Sequence, residues 1–308
     1  MRSVAINAFG GADVLELADV DTPVPAEGEV LVRVHAVGIN PIDYKTRAGQ
    51  GVTRSWQGPV FPLVLGWDIS GVVERPAGDF KTGDAVYGMV RFPGRGNAYA
   101  EYATAPITDI ALKPHSINHV HAAAVPLAAL TAWQALFVAG GLESRQTVLI
   151  HAGAGGVGHF AVQLAKWKGA KVIATASARN AEFVSSLGAD LVIDYTNEDF
   201  AAVAAGVDVV FHTIAPDQRA QSFKTLKEGG ILVSITGQIP PEEVPQGLRA
   251  GFVSVRPNAA QLVELARLID AGRLRPFVEQ TYRLVDAAQA HRHVEGGHTR
   301  GKVVLEIV

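Results

Sequence analysis

The rhythm of polar and apolar positions changes near residue 125. Before it, short alternating stretches dominate. Residues 29–37, Glu-Val-Leu-Val-Arg-Val-His-Ala-Val, alternate as a half-buried strand does. Residues 71–74 and 85–89 are short apolar runs, the second preceded by the turn signal Lys81-Thr82-Gly83-Asp84. Residues 99–104 alternate again. Beyond the change, apolar runs at 148–150, 171–176, 191–194, 207–213, 231–236 and 252–255 are separated by helical stretches at 159–168, 183–187, 217–227 and 259–271. Strand–helix alternation of this kind predicts an α/β domain with a doubly wound, mostly parallel sheet. The last apolar run, 303–308, is expected to return to the β-rich first part. Residues 122–141 are almost uniformly apolar and as long as a membrane span. They also contain Pro126, Thr131, Gln134 and many alanines, so the reading is a buried helical entry with Pro126 in its first turn.

One segment names a ligand. The apolar run 148–150 feeds directly into Gly153-Ala154-Gly155-Gly156-Val157-Gly158, a literal G-x-G-x-x-G, and a helical stretch and second strand follow. Strand, tight loop, helix and strand in this order form a dinucleotide-binding fingerprint. Gly153 permits the turn, Gly155 lets the backbone approach a diphosphate, and Gly158 lets the helix pack on the strand. The helix N-terminus then faces negative charge. The second strand ends near Thr175-Ala176-Ser177-Ala178-Arg179, with no acid between Val172 and Ala181. A site for NADH usually places a carboxylate here for the ribose hydroxyls. Ser177 and the guanidinium of Arg179 suit a 2′-phosphate instead, so the expected cofactor is NADPH.

Composition narrows the partners. The 308 residues suffice for two domains. A net charge of −3 without a basic block gives nucleic acid no footprint. The absence of cysteine excludes disulfides, iron–sulfur clusters, thiol nucleophiles and cysteine-ligated zinc. The first ten residues carry no signal-peptide pattern, so a cytoplasmic protein acting on small molecules, away from membranes, is expected. His119-x-His121 and His291-x-His293 are spaced so that each pair does not share a helix face, and no metal site is expected.

Several motifs together carry a resemblance. They are Val37-Gly38-Ile39-Asn40-Pro41-Ile42-Asp43, Leu65-Gly66-Trp67-Asp68-Ile69-Ser70-Gly71, Gly83-Asp84-Ala85-Val86-Tyr87-Gly88, Leu130-Thr131-Ala132-Trp133, the glycine loop, Leu226-Lys227-Glu228-Gly229-Gly230 and Gly301-Lys302-Val303-Val304-Leu305. In this order the chain resembles the medium-chain dehydrogenase/reductase superfamily, in its zinc-independent quinone oxidoreductase-like branch. The resemblance implies a GroES-like, β-rich substrate domain at 1–125 and 263–308. An inserted Rossmann domain is implied at 126–262, with the active site between the two. Zinc-dependent relatives carry cysteine where Asn40 stands and histidine where Trp67 stands.

The implied reaction is hydride transfer from NADPH to a quinone or another conjugated carbonyl. An enone or enal double-bond reductase, and a non-catalytic NADPH-binding sensor or scaffold, are the alternatives. By resemblance Asn40 lies near nicotinamide and substrate and is a candidate hydrogen-bond donor, or else a turn residue before Pro41. Tyr44 is a candidate proton donor, although many relatives place a tyrosine where Lys45 stands. Thr131, Tyr195, Thr213, Ile214, Gly237, Phe252 and Val253 are the remaining implied cofactor contacts. Asp43 and Asp68 read as structural acids, and Trp56, Phe61, Trp67 and Phe92 as pocket or core aromatics. A homodimer formed by sheet extension through the strand at 252–255 is also implied.

Overall fold

The computed structural model describes residues 1–57 and 60–307. Gly58 and Pro59, and Val308 in the expected last strand, lie outside the described residues. The chain divides into two compact units. One holds Met1–Leu130, Arg256–Gly272 and Pro276–Val308; the other holds Thr131–Val255 and Arg273–Arg275. The sequence expectation is 125/126 and 262/263; in the first unit the helix Ala259–Asp270 packs on the strand Ile110–Leu112. Tyr87 fixes that helix by donating its hydroxyl to the Leu262 carbonyl at 2.6 Å.

The first unit is built on one long strand, Glu29–Ile39. Val30, Leu31 and Val32 are buried in succession, half-buried Arg33 and His35 flank buried Val34, and Ala36 to Ile39 are buried throughout. Asp68–Arg75, Tyr102–Pro106 and Lys302–Glu306 all pair with it antiparallel. The full order is Val278–Arg283, Lys302–Glu306, Glu29–Ile39, Asp68–Arg75, Ala85–Met89, Ile110–Leu112. The chain's last strand therefore lies beside Asn40, with Val303 opposite Ile39. Val30, Val32, Val34, Ile69, Val86 and Leu305 belong to the apolar core beneath this sheet.

The second unit holds six parallel strands in the order Leu191–Asp194, Lys171–Ala176, Thr147–Ile150, Val207–His212, Leu226–Ser234, Arg249–Phe252. Successive strands move outward from Thr147–Ile150 in one direction, then outward in the other. The reversal leaves a crevice at the carboxyl ends of the two central strands, where ligands of such sheets bind. Two sequence expectations shift. The helix expected at 217–227 ends at Phe223, because the chain enters a strand at Leu226. The strand expected at 252–255 lies at Arg249–Phe252, pairing with Ile231–Ser234. Among the described residues it pairs on one side only. The apolar stretch 122–141 is a helix with Pro126 as its first residue, Pro126–Trp133, followed by a π-helical turn, Gln134–Ala139. No helix of the described residues is long and apolar enough to cross a membrane.

Candidate active site

The three glycines of the loop have three different surroundings. A Cβ on Gly158 would meet the Ala152 carbonyl oxygen at 2.1 Å and Gly153 Cα at 2.9 Å, so the helix Gly158–Lys168 approaches the loop too closely for any side chain. A Cβ on Gly153 would press on Ala174 and Val184 at 3.0 Å. Gly155 differs: its Cβ would have only the Ala152 oxygen nearby, at 3.3 Å, so its outer side is open. The loop is pinned at its base, where Gly153 N–H donates to the Thr175 carbonyl at 2.8 Å. Among the described residues nothing accepts from the amides of Ala154, Gly156 and Val157. Unengaged amides ahead of a helix N-terminus form an anion cradle. This cradle and the open side of Gly155 fit the diphosphate of a dinucleotide.

The other candidates of this unit gather around the same strand ends. Ser177, half-buried, accepts from Asn180 Nδ2 at 3.3 Å and opens the turn that exposes Arg179. Tyr195, exposed, follows the adjacent strand, and its N–H donates to the Ala176 carbonyl. Thr213 donates its hydroxyl to the His151 carbonyl at 2.7 Å, which ties the two central strand ends together. Ile214 joins His151, Ala152, Thr175 and Tyr195 in lining a pocket of about 550 Å³. Gly237 sits at φ +151°, and its carbonyl accepts from Arg219 Nη2 at 3.2 Å. Phe252 is exposed, and Val253 N–H donates to the Ser234 carbonyl. His159 is buried on the loop helix, its Nδ1 3.0 Å from the Gly155 oxygen. Thr131 is buried on the helix Pro126–Trp133.

Asn40 belongs to a polar cluster of the first unit, and Tyr44 stands half-buried on the helix Pro41–Arg47 within the field of Glu295. Asn40 is 1% exposed. Its Nδ2 donates to Asp68 Oδ2 at 2.9 Å and, more weakly, to the Gly38 carbonyl at 3.4 Å, while its Oδ1 accepts from the Lys302 ammonium. Both amide hydrogens are engaged, so in this geometry the side chain has no donor to offer a substrate. The reading of Asn40 as substrate donor gives way to that of a bridge between a buried ammonium and a buried carboxylate. Asp68 is a hub: its other oxygen accepts from Leu127 N–H at 2.9 Å, in the first turn of the helix Pro126–Trp133. Asp43 accepts from Asn40 N–H at 2.7 Å as the N3 residue of the helix Pro41–Arg47, half of a capping box. Tyr99 donates to the same Asp43 oxygen at 3.2 Å, and its hydroxyl also meets His291 Nε2 at 2.8 Å. His291 Nδ1 accepts from Arg47, whose guanidinium pairs with Glu295 at 2.6 Å.

Burial dominates the electrostatics of this cluster. It pushes the Asp68 carboxyl up to about 6, against the pull of Lys302 and of the Asn40 and Leu127 hydrogen bonds. It raises Asp43 and lowers the Lys302 ammonium, each being partly held back by the opposite charge of the other. Burial also raises the Tyr44 hydroxyl, and the Glu295 charge adds to this, so Tyr44 keeps its proton at neutral pH.

Of the two readings of the aromatics, pocket or core, Trp67 follows the second. Trp67 is buried and donates its indole N–H to the Gly94 carbonyl at 2.6 Å; Trp56 donates to the neighbouring Pro93 carbonyl at 2.8 Å. Phe92 meets Trp67 edge-on at 5.4 Å, and Phe61 packs against Phe9. Lys302, Thr175 and the histidines at 151 and 212 were not singled out as site residues from sequence. Only Lys302 carried a signal: a cation opening an otherwise apolar strand.

Comparison with known proteins agrees with this architecture. Residues 26–115 match the family model described as the alcohol dehydrogenase GroES-like domain, and residues 187–305 match one described as zinc-binding dehydrogenase. Zinc does not fit the side chains present. Asn40 and Trp67 supply no thiolate or imidazole, and among the described residues no three His, Asp or Glu groups converge. The chloroplastic NADPH-dependent alkenal/one oxidoreductase of Arabidopsis thaliana is 37% identical over 99% of this chain and 79% of its own length. The 2-methylene-furan-3-one reductase of Solanum lycopersicum is 35% identical over the same shares. The solved structure of the quinone oxidoreductase from Coxiella burnetii superposes with a TM-score of 0.92 at 38% identity, covering 100% of this chain and 99% of that one. The chain belongs to the medium-chain dehydrogenase/reductase superfamily, in its quinone oxidoreductase-like branch.

Proposed function

We propose that this enzyme uses NADPH to reduce quinones or other conjugated carbonyl compounds, without zinc. The observation that carries the reading is the glycine loop. Three unengaged amides and an open Gly155 precede a helix N-terminus, at the carboxyl end of a central parallel strand. The cofactor supplies the chemistry, a hydride from the nicotinamide ring. Ala154, Gly155, Gly156 and Val157 hold the diphosphate through backbone amides, and Gly153 and Gly158 keep the loop tight enough to present them. Ser177 and Arg179 receive the 2′-phosphate. Tyr195 covers the adenosine end. Thr131, Thr213, Ile214, Gly237, Phe252 and Val253 hold the nicotinamide end.

What remains for the protein is alignment and charge. Donor and acceptor need to be held about 3–3.5 Å apart. Negative charge grows on the acceptor oxygen as the hydride arrives, and a hydrogen-bond donor there lowers the barrier. Asn40, held rigidly by Lys302 and Asp68, supports the site. Tyr44, which retains its proton at neutral pH, is the candidate donor. The enzyme is proposed to act in the cytoplasm as a homodimer that extends the parallel sheet through the one-sided strand Arg249–Phe252.

The test is NADPH consumption by the purified protein against a panel of quinones, enones and enals. Turnover of quinones supports this reading. Turnover confined to enones or enals moves the reaction to double-bond reduction and makes Tyr44 the next residue to change. Tight NADPH binding without turnover of any acceptor supports a sensor instead.

A further inference from the structure

Two histidines stand at the ends of the central strands of the second unit, fully buried, with no part in the reaction proposed above. His151 Nε2 lies 3.0 Å from Ser222 Oγ, and its Nδ1 lies 3.3 Å from Thr175 Oγ1. Thr175 Oγ1 also accepts the N–H of Ala152 at 3.1 Å. His212 Nδ1 lies 3.3 Å from the same Ser222 hydroxyl, and its Nε2 donates to the Ala215 carbonyl at 3.2 Å. The single Ser222 proton has two acceptors in reach, His212 Nδ1 and the Gln218 carbonyl at 2.9 Å, and the line is complete when His212 takes it. The result is one continuous hydrogen-bonded line from Ala152, the residue before the glycine loop, to Ala215, in the turn after the fourth strand of the unit.

Both ends of that line matter to the pocket. Ala152 sits at φ +50°, a left-handed conformation that alanine rarely adopts, so surrounding structure has to hold it there. Ala152 and Ala215 both line the 550 Å³ pocket, together with His151 and Thr175. We infer that the line Thr175–His151–Ser222–His212 positions the NADPH-binding loop, by holding Ala152 in its strained conformation and locking the 213–215 turn against it. The inference rests on the proposed role of the glycine loop. Burial keeps both rings neutral, lowering His151 to about 3 and His212 to about 4, so the line does not change its protonation near neutral pH. These residues are positioning residues: in this reading they act through the backbone, not by reacting.

Ser222 gives the cleanest test, because it is buried behind the pocket wall and not part of it. Ser222→Ala removes the shared hydroxyl, and Thr175→Val removes the group that holds Ala152. Thr175→Ser keeps it. Ser222→Ala removes a hydroxyl with three partners and Thr175→Val one with two, so NADPH dissociation constants are expected to rise about fivefold to tenfold or more in both and to stay near the wild-type value in Thr175→Ser. In Ser222→Ala, outside the pocket lining, the turnover number at saturating NADPH and acceptor stays close to wild type, as a change of loop position, not of chemistry, requires. Folding is checked by thermal melting of each variant. Folded Ser222→Ala and Thr175→Val proteins with wild-type NADPH affinity overturn the inference. Wild-type protein that binds no NADPH overturns the functional reading beneath it.

Discussion

At the scale of single residues, the glycine loop separates two effects that a motif merges. Gly158 is required by packing, because its Cβ would overlap a carbonyl oxygen at 2.1 Å. Gly155 is required only by what approaches from outside, because inside the protein its Cβ meets nothing closer than 3.3 Å. Gly158→Ala is therefore expected to destabilise the fold by about 1–3 kcal/mol or more, by overpacking, as read from chemical denaturation. Gly155→Ala is expected to melt much closer to the wild type than Gly158→Ala does and to lose about tenfold or more in NADPH affinity, a loss of about 1.4 kcal/mol. Equal melting losses in both variants would refute the distinction. Arg179→Asp places a carboxylate where the 2′-phosphate is proposed to bind, and is expected to shift the ratio of NADPH to NADH affinity toward NADH by about tenfold or more. An unchanged ratio removes Arg179 from that role.

At the scale of elements, buried charge fixes where helices start. Asp68 opens the strand Asp68–Arg75 and caps the helix Pro126–Trp133 through Leu127, while also taking the Asn40 amide. Asp68→Ala leaves the Asn40 and Leu127 N–H groups unpaired in the interior and removes one of the two carboxylate charges that offset the Lys302 ammonium, and is expected to cost about 3–5 kcal/mol in unfolding experiments. A loss below about 1 kcal/mol, the level of an exposed ion pair, would mean that Asp68 is not the hub described. Here the sequence was informative about pattern and poor about partners. Alternation and glycines revealed the parallel sheet and its loop, because strand periodicity and the three glycine positions are local properties. The helix Ala287–Glu295 is not legible in the sequence, because its buried face is made of Ala287, Ala290 and His291 and has little apolar signal. The edge strand Arg249–Phe252 was placed three residues late, because an edge strand needs no continuous apolar run. Lys302 and Asp43, which lie far apart in the chain, and the His151–Ser222–His212 line depend on contacts that only the folded chain creates.

At the scale of the whole molecule, buried titratable groups set the response to acid. His151 and His291 are lowered to about 3, and His119 and His212 to about 4, mainly by burial. The unfolded chain binds protons at these positions near pH 6.5, and the folded chain does not, so each loses stability as pH falls from 6.5 toward 4. Asp43 and Asp68 work the other way. Their carboxyls are raised, so the folded chain keeps protons that the unfolded chain releases, and stability falls as pH rises from about 4 toward 6 for Asp68 and toward 7 for Asp43. Four imidazoles against two carboxyls make acidification the net loss. The denaturant midpoint is expected to be lower at pH 5 than at pH 7, and a higher midpoint at pH 5 would contradict this balance.

The central claim is that the chain binds NADPH and delivers its hydride to a conjugated carbonyl. Single-turnover oxidation of NADPH carrying deuterium on the transferred position of C4, with the best acceptor of the panel, tests it most directly. The account predicts that bound NADPH is consumed by the acceptor and that the deuterated cofactor is consumed more slowly. Bound NADPH that stays reduced against every quinone, enone and enal would contradict it.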